Sequence, residues 1–209
     1  MKQKYIFDLD GTLLDGDFSK EEEYFKSELT TTESEIFIPQ IFNLLTNYEQ
    51  RFIKYDIDLL SKYMSSETSI SITPSIIRGW IECNKDMDDT IIEGVIETLD
   101  ELKMRDKDLI VLTNWFSETQ SSRLKKQRLD IYFDEVYGGE HWLKPYKDAY
   151  INACGYTPME LCVMIGDNYE KDFLGPKRIG MDSIYFNRKK SNTNDRNSIK
   201  SLKKIKDIY

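Results

Sequence analysis

Short apolar runs that break off at a polar residue recur along the chain. Tyr5-Ile6-Phe7 stops at Asp8, Leu109-Ile110-Val111-Leu112 at Thr113-Asn114, and Cys162-Val163-Met164-Ile165 at Gly166-Asp167. Runs of this length, apolar at every position and bounded by turn residues, predict fully buried parallel strands. Two further strands are expected around residues 135–137 and 183–186. Helical patterns separate the runs. Over 94–104, Val95, Leu99 and Leu102 share a face. Ser117-Glu118-Thr119-Gln120 reads as a capping box opening a helix through Arg128. Residues 146–153 read as a helix closed near Gly155. A last helix is expected from Ser198, carrying Ile199, Leu202 and Ile205. Strands alternating with helices imply βαβ units and a parallel sheet.

The stretch from Phe18 to Asn84 lacks such runs. Ile41, Leu44, Leu45, Tyr48 and Phe52 follow the spacing of an amphipathic helix. Thr73-Pro74 reads as the N-cap and first position of another, through Cys83. A third is expected over 56–64. A segment this long is too long for a structureless loop. The expected organisation is therefore an α/β core, residues 1–17 and 85–209, with an all-helical insertion, 18–84, spliced in after the first strand.

Composition narrows the function classes. The 209 residues carry 37 acids against 29 bases, a net charge of −8, which disfavours a nucleic-acid backbone as partner. Three cysteines, none in a C-x-x-C pair, fit a reducing compartment better than a disulfide framework. The chain opens on a strand-like segment rather than a secretory leader, and no apolar run approaches the ~20 residues of a membrane span. A cytoplasmic protein with no membrane partner is expected. The polar segment 188–197 is expected to be a solvated loop. The sequence leaves the oligomeric state open.

In an open parallel sheet, ligands bind at the carboxyl ends of the strands. Four polar clusters map there: Asp8-Leu9-Asp10-Gly11-Thr12, Thr113-Asn114, Lys144-Pro145, and Gly166-Asp167-Asn168 with Asp172. This ordered set resembles the four motifs of the haloacid dehalogenase superfamily, most of whose members are phosphatases. The resemblance spans the whole chain, including the place of the helical insertion, which matches the family's cap. It implies a Rossmann-like core and a magnesium-dependent phosphatase acting on a small phosphorylated substrate.

The chemistry suits that implication. An anionic nucleophile attacking an anionic ester needs its charge neutralised by a metal ion and fixed donors. The resemblance makes Asp8 the nucleophile that forms an aspartyl phosphate, and Asp10 the acid and base. Asp8, the Asp10 backbone carbonyl and Asp167 would ligate Mg2+, with Asn168 and Asp172 acting through water or by orienting the others. Thr113 and the Asn114 amide would hold phosphate oxygens, and Lys144 would pair with Asp8 and the phosphoryl group. Leu143, Trp115 and Pro176 depart from the usual pattern without removing a catalytic atom. Trp115 is expected chiefly to pack and His141 to lie on a surface loop.

Within the family, Thr113-Asn114-Trp115-Phe116, Gln120, Tyr132-Phe133-Asp134, Lys144-Pro145 and the four-residue gap from Asp167 to Asp172 look most like nucleoside-monophosphate phosphatases. Acylneuraminate phosphatases are similar too. A phosphosugar mutase would share the core, and a non-catalytic module of the same fold is the alternative from another class. A dehalogenase fits less well, because it has no use for Asp10.

Overall fold

The computed structural model describes residues 2–188 and 197–208. Its core is a six-stranded sheet in the order β5-β4-β1-β6-β7-β8, every pairing parallel. The strands are β1 (Lys4–Phe7), β4 (Asp108–Leu112), β5 (Glu135–Tyr137), β6 (Cys162–Gly166), β7 (Asp182–Phe186) and β8 (Ser198–Ile199). The three apolar runs form the centre, with Phe7 opposite Val111 on one side and Ile165 on the other. Helices α6 (Val95–Met104), α7 (Ser117–Lys126) and α8 (Lys147–Cys154) cover the two faces. Phe7, Val111 and Ile165 enter one buried cluster, while Ile6, Leu112 and Met164 enter another. Alternate residues of one run thus serve opposite faces, which is why these strands read as continuously apolar. Fully burying a side chain of this size contributes roughly 1.5–3 kcal/mol.

Between β1 and α6 the chain makes an excursion. A short two-stranded antiparallel ribbon, β2 (Leu14–Asp17) with β3 (Asp88–Ile91), carries it out and back. Five helices lie between: α1 (Ser19–Glu28), α2 (Thr31–Phe37), α3 (Ile41–Arg51), α4 (Ile57–Thr68) and α5 (Pro74–Asn84). Thr30, Asp56 and Thr73 cap α2, α4 and α5 with side-chain oxygens. These helices gather Phe25, Phe37, Tyr48, Tyr63, Trp80 and their neighbours into a separate aromatic core. Phe116 and Leu143 from the sheet-edge loops belong to that core too. Backbone bonds from Tyr55 N–H to the Gly139 carbonyl (2.7 Å) and from Leu143 N–H to the Ile53 carbonyl (2.8 Å) hold the insertion on those loops.

Several local expectations fail. The ribbon is absent from the sequence reading because its strands are too polar to announce themselves. The capping box at Ser117 does not form: the N-cap position is Phe116, and Ser117 donates to Glu140 instead. Helix α7 ends at Lys126 rather than Arg128, and α3 ends at Arg51 with Phe52 already extended. The expected last helix is instead strand β8 followed by a 3₁₀ helix, Leu202–Asp207. Ile199, Leu202 and Ile205 repeat every three residues, a spacing that eclipses side chains in a 3₁₀ helix and lacks the fourth-residue partner of an α-helix. Most of the loop expected at 188–197 lies outside the described residues. No helix among the described residues is long and apolar enough to cross a membrane.

Candidate active site

Asp8 follows β1 directly, its N–H donating to the Ile165 carbonyl at 2.9 Å. The chain then turns back tightly, with the N–H groups of Leu13 and Leu14 both donating to the Leu9 carbonyl. Gly11 makes the turn at φ +78°, and a Cβ there would come within 2.3 Å of an Asp167 carboxylate oxygen. Only glycine combines that backbone with that approach. Asp8 and Asp10 are thereby held on one short loop at the end of the central strand.

Lys144 reaches this loop from the segment after β5. Its buried ammonium donates to Asp8 and to Asp172, each at 2.7 Å. The second Asp172 oxygen accepts from the Asn168 N–H at 3.0 Å. Asn114 clamps the lysine's backbone from both sides. Its Nδ2 donates to the Lys144 carbonyl (3.0 Å) and its Oδ1 accepts from the Lys144 N–H (2.8 Å). The Asn114 side chain is thus committed, which leaves its backbone N–H as the group free for a ligand. Asn168 spends its side-chain oxygen capping the turn after β6, accepting from Glu170 and Lys171 N–H.

One oxygen from each of Asp8, Asp167 and Asp172 lies within 4.8 Å of the others. Three carboxylates face one ammonium. Burial raises Asp8 well above the usual carboxylate range, with the charges of Asp172 and Asp167 adding to it and Lys144 opposing them. Burial first, and then Asp172, push Asp167 up to about 6. Lys144 is raised by the two carboxylates it touches, against the opposing effect of its own burial. The cluster holds more negative charge than the protein compensates and offers only oxygen donors. That donor set fits a hard divalent cation such as Mg2+.

The sequence marks Gln120 only as part of a family pattern and does not single out Arg123, yet both belong to the site. Gln120 and Arg123, on α7, turn inward to Asp10. Arg123 Nη2 donates to Asp10 Oδ1 at 2.6 Å, and Gln120 Nε2 donates to Asp10 Oδ2 at 3.0 Å. Gln120 also donates to Thr113 Oγ1 at 3.0 Å, which leaves the threonine O–H to donate elsewhere. The signal was available: Gln120 and Arg123 stand three apart on the stripe that contains buried Thr119 and Leu124.

Between the sheet edge and the helices lies a cavity of about 330 Å3, floored by Asp8, Asp10, Thr113, Lys144 and Asp167. Its far walls include Phe18, Phe42, Glu21, Trp80 and Trp115. Trp115 packs on Trp80 with ring centroids 4.6 Å apart, so it belongs both to the aromatic core and to the cavity. Glu21 is buried and accepts from Asn84, as well as from the Trp80 indole. The Phe18 and Phe42 rings pack edge-on at 5.9 Å while remaining 39% and 65% exposed. His141 sits on the surface near Glu140 and does not line the cavity.

The family model for haloacid dehalogenase-like hydrolases matches residues 5–186. Among curated proteins, pyrimidine 5'-nucleotidase PynA of Streptococcus pneumoniae is 31% identical over 102 residues, 46% of this chain and 43% of PynA. YfnB of Bacillus subtilis, named as an HAD-hydrolase, is 26% identical over 125 residues, 57% of this chain and 53% of YfnB. The matched segments span about half the length of these relatives. The solved structure of YfnB bound to magnesium aligns with a TM-score of 0.71 at 21% identity, over 99% of this chain and 98% of that one. A HAD phosphatase from Thermococcus onnurineus aligns at 0.60 and 21% identity, over 100% and 97%. A 2-haloacid dehalogenase from Pseudomonas syringae aligns at 0.69 and 18% identity, over 100% and 98%. At these identities the solved structures speak for the fold alone.

Proposed function

Because the chain belongs to the haloacid dehalogenase-like hydrolase family, we propose that it hydrolyses small phosphate monoesters with magnesium, through a phosphoryl group carried on Asp8. The observation that carries this reading is the pairing of Asp8 and Asp10 on one tight loop beside Lys144. An Asp8 oxygen attacks phosphorus and the bond to the leaving oxygen breaks. Asp10 gives its proton to that oxygen. Water then attacks the aspartyl phosphate and returns a proton to Asp10, which frees phosphate and restores Asp8.

Lys144 holds Asp8 in place and faces the transferred group. The Thr113 hydroxyl and the Asn114 N–H are the donors for phosphate oxygens. Asp8, Asp167 and the Asp10 carbonyl would hold Mg2+, and Asn168 and Asp172 would support that set. The bound cation would supply positive charge beside the phosphoryl oxygens. The five helices serve as a cap that limits access to small substrates and excludes water.

Within this activity, nucleoside monophosphates are the proposed substrates. The exposed Phe18–Phe42 pair at the cavity wall suits a planar leaving group, and PynA is a pyrimidine nucleotidase. The test is a panel of phosphate esters assayed with magnesium, containing an aryl phosphate, nucleoside monophosphates, sugar phosphates and an acylneuraminate phosphate. Nucleotides are expected to lead in kcat/KM. A lead of about tenfold or more for a sugar or acylneuraminate phosphate refutes the nucleotidase reading. Absence of aryl-phosphate hydrolysis refutes the phosphatase.

A further inference from the structure

Asp10 is held more elaborately than an acid on a flexible turn requires. Its side chain is 40% exposed toward the cavity, yet both oxygens are engaged from behind. Arg123 takes Oδ1 at 2.6 Å and Gln120 takes Oδ2 at 3.0 Å. Arg123 also fixes the direction of the glutamine amide, because its Nη1 donates to Gln120 Oε1 at 2.7 Å. That bond commits Nε2 to point at Asp10. Neither partner then presents an acceptor to Asp10, since a guanidinium has none and the amide oxygen is in use. A proton on Asp10 is therefore left to the lone pairs that neither partner occupies, on a side chain that lines the cavity where a leaving oxygen would be.

The same guanidinium is anchored on a second element. Its Nε donates to Asp89 Oδ2 at 3.0 Å and its Nη2 to Asp89 Oδ1 at 2.6 Å. The arginine side chain is 2% exposed and that of Asp89 not at all. Asp89 lies on β3, the return strand of the ribbon that joins core to helices, and pairs with Gly16 on β2. The ribbon presses against the arginine, for a Cβ on Gly16 would come within 3.0 Å of Nη2. One planar fork therefore bridges the acid and the strand on which the helical insertion is hung.

We infer that Arg123 is a positioning residue for Asp10, and that its bond to Asp89 makes the placement of the acid depend on the ribbon. The inference rests on the acid role given to Asp10 above. A change at Arg123 should therefore act only through Asp10. It should weigh on esters whose leaving oxygen needs a proton and spare those that do not.

The experiment compares single-turnover cleavage of an alkyl phosphate and a nitrophenyl phosphate by Arg123→Gln, Arg123→Lys and Asp89→Asn. Each substitution is placed in the wild-type and in the Asp10→Asn background, and melting is recorded. Arg123→Gln is expected to slow the alkyl ester by about 10–100-fold and the nitrophenyl ester by less than about threefold. KM should hold. In the Asp10→Asn background the same substitution should change neither rate further, the non-additivity of residues acting as one unit. Arg123→Lys keeps the charge without the fork and should show a weaker form of the pattern. It decides the matter if Arg123→Gln does not fold. Asp89→Asn should reproduce the pattern through the ribbon. Equal losses on both esters, or losses that persist beside Asp10→Asn, overturn the positioning role. A flat response to Asp89→Asn overturns the link to the ribbon. If Asp10→Asn itself shows no dependence on the leaving group, the acid assignment falls first and the inference with it.

Discussion

The core and the helical insertion bury their residues in opposite ways. Around β1, β4 and β6 aliphatic side chains of the strands pack against those of the covering helices, and each strand ends abruptly at a group that can do chemistry. In the insertion, aromatic rings carry the packing. Polar atoms are threaded among them, such as Glu21 beneath Trp80 and Glu49 bonded to the Tyr55 hydroxyl. The first arrangement fixes a few atoms rigidly where three strands converge. The second gives a wall whose shape and polarity are set by side chains other than those of the floor. Reaction type is thus expected to reside in the strand ends, and substrate choice in the helices.

The largest effect that tests this division falls on the floor. Asp8→Asn is nearly isosteric but a poor nucleophile, so it should cost about 10³-fold or more in kcat on every ester while circular dichroism is unchanged. Turnover within about tenfold of wild type, in a folded protein, breaks the account of the core.

The next effect concerns the metal. Chelation should abolish activity and magnesium restore it, and Asp167→Ala should raise the half-saturating magnesium concentration about tenfold or more. The pH dependence has a definite sign. Asp167 is raised from 3.8 to about 6 in the metal-free fold, chiefly by burial, so the fold favours its protonated form. Metal-free stability should therefore decline as pH climbs through that window. Magnesium displaces the proton, so its stabilising effect should be larger at about pH 7.5 than at about pH 5. Equal increments in Tm at both values, or a larger one at the lower pH, count against Asp167 as a ligand.

The smallest effect sharpens the contrast from the other side. Phe42 is exposed at the cavity wall and contributes little to the aromatic core. Phe42→Ala should lower kcat/KM for nucleoside monophosphates by about three- to tenfold and leave a small aryl phosphate within about twofold. A uniform loss across the panel would mean that the wall does not choose the leaving group.

How much of this was readable in the sequence follows the same division. Asp8, Asp10, Thr113 and Asp167 were legible because strand runs end beside them, and Lys144 because its place in the order resembles a known set. Arg123 was not, nor was the contact that Gln120 makes with Asp10, because a polar residue on a helix ordinarily faces water. Their role depends on the ribbon, whose partner Asp89 is distant in sequence. The ribbon itself was hidden, since half the residues of Leu14–Asp17 and Asp88–Ile91 are aspartates and the two strands pair chiefly with each other. Asn114 was legible as a site residue but not as a clamp on Lys144. That function is set by a contact across 30 positions of chain. The aromatic spacing of the insertion revealed helices but not which rings would reach the cavity.

The central claim is that a phosphoryl group passes through Asp8. It is tested most directly by acid-quenching the Asp10→Asn protein during its first turnover of an activated aryl phosphate with magnesium, then weighing the peptide that contains residue 8. Asp10→Asn should slow the attack of water more than the first transfer, so the intermediate accumulates. The account predicts a gain of about 80 Da on Asp8 that appears with the first equivalent of released phenol and is lost on treatment with hydroxylamine. A first turnover that releases a full equivalent of phenol and phosphate together, with residue 8 unmodified at every quench time, would contradict it.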